Sequence, residues 1–278
     1  MSRGADVWSY AGKRVVIAGC HSGMGEATAR ELVRLGAEVH GVDIKRSPVG
    51  LASFREVDLR DTARIDAALE AIGGSFDASF YCAGLPQTFS NVDVMKVNFV
   101  HMRHWTERVA ARMPNGGACA MIASTAGHAW RENRAMIEEL LATPDAVGGV
   151  AWCEKNEERF DAYVFSKMCI QFFAMKMAAP LIKRGIRINT VNPAPTQTPM
   201  MDVFESAAPA ALIDTFVEPI GRRAQPEEMA YPLIFLNSDA ARFINGHNLN
   251  VDGGWAGSLD AGVLDPGALI EKALAAMA

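Results

Sequence analysis

The sequence predicts an α/β fold: one doubly wound domain whose seven-stranded parallel sheet carries helices on both faces. Three observations point there. Short apolar runs alternate with longer segments of helical period, and strands separated by helices run parallel. The first apolar run breaks into glycines that open directly into a helix, an arrangement suited to cradling phosphate. Finally, 278 residues at 50% hydrophobic content suffice for one large core.

Taken in order, residues 13–19 (K-R-V-V-I-A-G) read as a buried strand. The turn A-G-C-H-S-G-M-G follows, with Gly19, Gly23, Met24 and Gly25, and then an alanine-rich helix closed by Gly36. A second strand, A-E-V-H-G-V-D, ends at Asp43. Strand, glycine turn, helix, strand and acid together make a dinucleotide site, and each part has a mechanical reason. Glycines let the backbone turn tightly and approach a pyrophosphate, while the helix N-terminus offers unpaired N–H groups. Asp43, 24 residues after Gly19, places a carboxylate where it accepts from both ribose hydroxyls and repels a 2′-phosphate. Cys20 and His21 read as loop filler.

The pattern repeats. Residues 53–58 form a strand, Asp61 caps a helix through Ile72, and residues 76–82 form a strand running into Ala83-Gly84. One long helix is expected at 91–113, a strand at 118–124, a helix at 160–185 and a strand at 186–192. A helix near 226–237, a last strand at 247–251 and a helix from Pro266 complete the chain. In the 160–185 helix, Phe160, Val164, Met168, Phe172, Met175 and Ala179 mark one apolar face, and Pro180 is expected to loosen the last turns.

On that helix Tyr163 and Lys167 stand one turn apart on a common face. A free tyrosine titrates near ~10, and a nearby cation favours its phenolate. Bringing it to neutrality takes about 4 kcal/mol of differential stabilisation, which a lysine in a partly dry site with a positively charged ring can supply. Alone, such a pair is more often a solvated surface pair.

The net charge of −5, with no basic block, argues against nucleic acid and against an electrostatic membrane anchor. The N-terminal segment has no apolar signal core and no stretch of 18 uncharged apolar residues occurs, so a soluble cytoplasmic protein is expected. Five cysteines without a C-x-x-C pair read as reduced thiols, with no metal site.

These motifs, in this order, resemble the short-chain dehydrogenase/reductase family, with its Rossmann-type fold, over about residues 11–254. The resemblance implies a nicotinamide cofactor, NAD (NADH in the reductive direction). It would be held by Gly19, Gly23, Met24, Gly25, Asp43, the pair Asp58-Leu59 at the adenine, and Cys82, Ala83 and Gly84. Pro193, Thr196 and Thr198 match the segment that touches the nicotinamide, and Tyr163 and Lys167 also serve the cofactor. Asn98, Ser124, Tyr163 and Lys167 match the family's catalytic tetrad, Asn98 relaying a water to the lysine. The family also implies a homodimer or homotetramer. Departures are equally visible. Tyr81 and Cys82 replace two asparagines, and Ala194 stands where glycine is usual. Ser124 and Tyr163 are 39 residues apart, leaving an insertion at about 128–159, and an extension covers about 255–278. The insertion and the stretch G-R-R-A-Q-P-E-E-M-A look most like the bacterial 3α-hydroxysteroid dehydrogenase/carbonyl reductase branch.

An apolar lid is expected at about 194–217, with Met200, Met201, Phe204, Leu212 and Phe216 and no lysine or arginine to hold an anionic group. The insertion supplies Trp130, Met136 and Trp152, expected beside the same cleft. Ser124, Thr125, Met200, Met201, Phe204 and Trp152 are the expected substrate contacts. The sum is an NAD(H)-dependent oxidoreductase interconverting a bulky apolar secondary alcohol and its ketone, of steroid, terpenoid or aryl type. Two other readings stand beside it: a reductase or epimerase of the same fold on another substrate class, and a non-catalytic nucleotide-sensing protein.

Overall fold

The computed structural model describes residues 6–275; positions 1–5 and the last three positions of the expected extension lie outside the described residues. The strands are β1 (Arg14–Ala18), β2 (Glu38–Asp43), β3 (Ser53–Glu56), β4 (Ala78–Tyr81), β5 (Ala118–Ile122), β6 (Arg187–Pro193) and β7 (Asn248–Val251). They form one sheet in the order β3-β2-β1-β4-β5-β6-β7, every pair parallel, as the alternation predicts. β1, β4 and β5 are buried nearly throughout, because helices cover both faces. The helices Gly23–Arg34 and Pro226–Asn237 close one face around Leu32, Met229 and Leu233. Thr62–Ile72, His101–Ala110 and Ala162–Ile182 close the other around Leu69, Trp105 and Phe173. The direction of winding reverses between β1 and β4, which leaves a crevice at their C-terminal ends.

Three elements differ from expectation. The single helix expected at 91–113 is Asn91–Met95, a π-helical turn at Lys96–Val100 that contains Asn98, and His101–Ala110. A period read over residues buried nearly all round carries no sign of the extra residue in that turn. The helix Ala162–Ile182, expected over 160–185, is capped by Asp161, whose carboxylate accepts from Val164 N at 2.8 Å, and it runs through Pro180 to Ile182. Its deeply buried residues include Ala162, Phe165, Ser166, Lys167, Cys169, Ile170 and Phe173, so the stripe from Phe160 to Ala179 is mostly its half-buried side. The sheet, the turn after β5 and the insertion all pack on this helix, so no single face defines it.

The third difference lies in the insertion. Arg134–Leu141 is the amphipathic helix expected there, with Ile137, Leu140 and Leu141 buried. V-G-G-V-A-W belongs to a second helix, Ala146–Asn156, capped by the Asp145 carboxylate on Gly148 N at 2.8 Å. A Cβ on Gly149 would lie 2.9 Å from Val100 Cγ1, so the glycine permits the helix to sit tightly on the π-helical turn. Helix propensity alone makes Gly149→Ala stabilising by about 1 kcal/mol. We predict instead a loss of about 1 kcal/mol or more from overpacking, read by urea denaturation. A stabilised variant would contradict the close contact.

Candidate active site

The crevice at the tips of β1, β2 and β4 has a volume of about 460 Å³. Gly19 sits at φ +82°, and a Cβ there would collide with the Ala83 backbone; a Cβ on Gly25 would land on the Gly19 carbonyl. The tips of β1 and β4 therefore meet more closely than side chains allow, and the helix Gly23–Arg34 points its first N–H groups into the space left. Asp43 borders the crevice, with Oδ2 accepting from His21 N at 2.9 Å and Oδ1 from Lys45 N at 3.2 Å. His21 Nδ1 lies 2.8 Å from the Arg46 carbonyl, and Ser47 Oγ donates to the Cys20 carbonyl at 2.8 Å. Cys20 and His21 are thus not filler: they tie the glycine turn to the loop after Asp43. Asp58 and Leu59 line the same crevice. The Arg60 guanidinium forks Asp58, holding its carboxyl below the usual range, and also reaches Asp93 at 3.1 Å.

The glycine cradle, the free helix terminus and the acid after β2 fit a dinucleotide. Gly19, Gly23, Gly25, Asp43 and Asp58 would hold it. Met24, Cys82, Ala83, Gly84 and Thr198 border both this crevice and a second cleft of about 310 Å³ beneath the lid. A Cβ on Gly84 would stand 3.5 Å from Asn98 Oδ1 and 3.9 Å from Lys167 Nζ, so the passage between the clefts runs beside the tetrad.

Four elements bring that tetrad together. Ser124 follows β5 and heads the short turn Thr125–Trp130, its Oγ accepting from Ala126 N at 3.1 Å. Gln171 Nε2 donates to the Ser124 carbonyl at 2.8 Å, and a Cβ on Gly127 would meet Lys167 O at 2.8 Å, so this turn lies flat on the tyrosine helix. Gln171 escaped the sequence reading; its position one turn beyond Lys167 was the available signal. Asn98 spans the passage, Oδ1 accepting from Leu85 N at 2.7 Å and Nδ2 donating to Leu85 O at 3.0 Å and Ser166 Oγ at 3.3 Å. Lys167, 5% exposed, places Nζ 5.5 Å from the centre of the Tyr163 ring and 3.4 Å from the Ile122 carbonyl.

Burial governs the electrostatics here. It pushes the Tyr163 phenol up to about 12, with hydrogen bonding to Ser124 pulling back and Asp161 adding to the rise. It draws the Lys167 ammonium down to about 8. For the chain by itself burial raises the phenol, opposite to the lowering expected from Lys167.

The second cleft is lined by Ser124, Thr125, Tyr163, Lys167, Pro193, Thr196, Met200, Met201, Phe204 and Phe216, so most of the expected substrate contacts converge. Phe204 meets the Tyr163 ring edge-on at 5.2 Å. The Thr125 hydroxyl is used internally, donating to Pro193 O at 3.2 Å. Ile213, in place of Leu212, borders the cleft. Trp152 does not reach it. Its ring stacks on Phe160 and Phe165 at 5.9 and 6.0 Å, behind the tyrosine helix. Trp130 packs on Phe172 at 5.7 Å, and Met136 against the same core. The insertion's ends flank Ser124 and Tyr163 in sequence, but its helices buttress the far side of this helix.

A nucleotide cradle opening beside a half-buried tyrosine and serine and a buried lysine defines a nucleotide-dependent oxidoreductase. The chain belongs to the short-chain dehydrogenase/reductase family. The short chain dehydrogenase family matches residues 13–136, and the enoyl-(acyl carrier protein) reductase family matches residues 149–256. The 3-alpha-hydroxysteroid dehydrogenase/carbonyl reductase of Comamonas testosteroni is 31% identical over 86% of this chain and 95% of its own. Coniferyl-alcohol dehydrogenase of Pseudomonas sp. strain HR199 is 29% identical over 88% of this chain and 96% of its own. The NADH complex of the 3-alpha-hydroxysteroid dehydrogenase from Pseudomonas sp. B-0831 superposes with a TM-score of 0.77 at 27% identity, covering 89% of this chain and 98% of that one.

The lysine yields a stability prediction. With its folded value near 8 against an ordinary 10.5, the folded state holds a poorly solvated ammonium below pH 8. That penalty, about 3 kcal/mol, is full below pH 8 and is relieved as pH rises towards the unfolded value. Lys167→Met should therefore be more stable than the unaltered chain at pH 7, with the advantage shrinking to nothing above pH 10.5. Paired denaturation curves at the two pH values check this, and a variant less stable at pH 7 contradicts it.

Proposed function

We propose that this enzyme interconverts a bulky, uncharged secondary alcohol and its ketone, of steroid, terpenoid or aryl type, with NAD(H). The supporting observation is that Ser124, Tyr163 and Lys167 face an apolar cleft that opens onto the dinucleotide crevice. When bound there, a nicotinamide dinucleotide supplies hydride exchange at the carbon that bears the oxygen. Ser124 hydrogen-bonds the substrate oxygen and polarises it. Tyr163 gives that oxygen a proton in reduction and, as phenolate, takes it in oxidation. Lys167 favours the phenolate and binds the ribose hydroxyls, and Asn98 connects the lysine to solvent through water. Because burial keeps Tyr163 protonated, the chain favours proton donation at neutral pH and oxidation should quicken as pH rises.

NAD(H) is preferred over NADP(H) on this reading, because Asp43 claims the place of a 2′-phosphate. Lys45 lines the same crevice, and its side chain and that of Arg46 are the cations that argue against this preference. For the substrate, the cleft offers Met200, Met201, Phe204 and Phe216, and affinity comes from apolar burial at about 25 cal/mol per Å². Of the two curated relatives, the 3-alpha-hydroxysteroid dehydrogenase/carbonyl reductase is named for a bulky secondary alcohol, and coniferyl-alcohol dehydrogenase for an aryl-bearing but primary one. We also read the chain as a cytoplasmic homo-oligomer. The insertion's helices cover the side of the Asn98 and Tyr163 helices through which the family pairs subunits, favouring a dimer built elsewhere. Among the described residues no helix is long and apolar enough to cross a membrane.

Three outcomes are expected. Across a ladder of ketones with NADH, fused-ring and aryl ketones should exceed acetoacetate in kcat/KM; the reverse order would sink the substrate class, and a higher kcat/KM with NADPH the cofactor preference. Tyr163→Phe should lose about 10²-fold or more in kcat with NADH affinity nearly unchanged. Trp152→Ala should lower stability by about 2–3 kcal/mol and leave KM for the best ketone unaltered. A raised KM with stability intact would return Trp152 to the cleft.

A further inference from the structure

The outer side of the lid is covered by chain that follows the completed sheet. The lid consists of Pro199–Ala207, Ala210–Asp214 and the turn Thr215–Val217. Behind β7 come Trp255–Asp260 and the helix Pro266–Ala275, which packs across Ala210–Asp214 and Thr215–Val217. Trp255 is the joint. It is 8% exposed, and its Nε1 donates to the Thr215 carbonyl at 3.1 Å. Its ring lies 5.0 Å from Phe216, which lines the substrate cleft, and 6.2 Å edge-on from His128. His128 belongs to the turn headed by Ser124 and stands 3.4 Å from Asp260. One indole thus touches the lid and the serine turn, and it belongs to neither. The segment is itself anchored to the sheet. Asp252, buried next to β7, accepts from Gly254 N at 3.0 Å and from Ala256 N at 2.9 Å.

At the lid's other foot the first helix is tied down separately. Arg223, with its side chain 11% exposed, bridges Glu205 and Asp214 on the two lid helices. Ala224 pairs with Thr196 at the lid's entrance. That clamp fixes the two lid helices to each other, and Phe216 follows it in the turn Thr215–Val217, where its ring packs on Trp255 at 5.0 Å.

We propose that Trp255 is a positioning residue for substrate: with the C-terminal helix it holds Phe216 as the outer wall of the cleft and so sets the size of ketone accepted. The indole N–H fixes Thr215, the residue before Phe216, and the ring blocks the outward rotamer of Phe216. Losing both lets the wall move out, which removes apolar contact from a large substrate and little from a small one that never reaches it. The kinetic half rests on the function proposed above; the placement of the lid does not.

The test compares the unaltered chain with Trp255→Ala, Trp255→Phe and a chain ending at Asp265, all with NADH. Hydrogen exchange on the NADH-bound proteins should speed up at residues 210–217 in Trp255→Ala and in the shortened chain, with residues 163–173 still protected. In steady state, KM for a fused-ring ketone such as a decalone should rise about tenfold, while KM for cyclohexanone and the NADH affinity change little. Trp255→Phe, which keeps a ring against Phe216 and is the safer variant to fold, should recover the greater part of the loss. Unchanged exchange in the lid, or an equal change in KM for both ketones, overturns the proposal. If the unaltered chain reduces neither ketone, the function proposed above fails, and lid exchange still decides whether Trp255 holds the wall.

Discussion

Desolvation of one helical turn, Tyr163 to Lys167, is the constraint on which the rest of the structure depends. Burying an ammonium whose hydrogen-bond partner among the described residues is the Ile122 carbonyl at 3.4 Å costs stability, and desolvating the phenol holds its proton on. Both costs appear as opposed displacements, the phenol to about 12 and the ammonium to about 8. Such a turn persists only where its surroundings over-determine it. Here they do. The serine turn lies flat on the helix through Gly127 and Gln171, Phe204 closes the open edge of the tyrosine, and the insertion stacks Trp152 on Phe160 and Phe165 behind it.

The remaining parts place this dry turn beside the cradle. Close approach of β1 and β4, enforced by the steric demands at Gly19 and Gly25, narrows the crevice at the switch point of the sheet. The π-helical turn at Lys96–Val100 carries Asn98, whose amide grips both the N–H and the carbonyl of Leu85, and this holds the passage at Gly84 in register with Lys167. A misfit of one residue in that helix is stored where it aims a side chain, a use often made of such turns. Catalytic pre-organisation and stability pull in opposite directions at Lys167, and the large continuous core absorbs the difference.

What was legible in the sequence was what local chemistry dictates. Alternation, glycine spacing, the acid after β2 and the cap at Asp61 each act within a few residues of themselves, so they could be read without a fold. The tetrad was legible only through the family resemblance, since Tyr163 and Lys167 alone read as a surface pair and Asn98 and Ser124 were carried by the order of the motifs. What failed depended on distant partners. Nothing near Gly149 in sequence says that Val100 lies against it. Trp152 is an aromatic residue near two site residues in sequence, yet nothing local says on which side of the helix it packs. The raised tyrosine was misjudged because sequence names its cation and not the depth at which both are buried. Gln171 and Trp255 act through residues far along the chain, and Arg223 through acids on the two lid helices, so their roles are not set by local sequence.

The most direct test of this account is the titration of Tyr163 itself, followed by the ¹³Cζ resonance of labelled tyrosine and assigned by its loss in Tyr163→Phe. The account predicts that the phenol of the chain by itself stays protonated well beyond the ordinary tyrosine value of 10, and that its midpoint falls when NAD⁺ is added. A midpoint at or below 10 without the dinucleotide would mean that the lysine, and not burial, controls the tyrosine, and the account would be wrong at its centre.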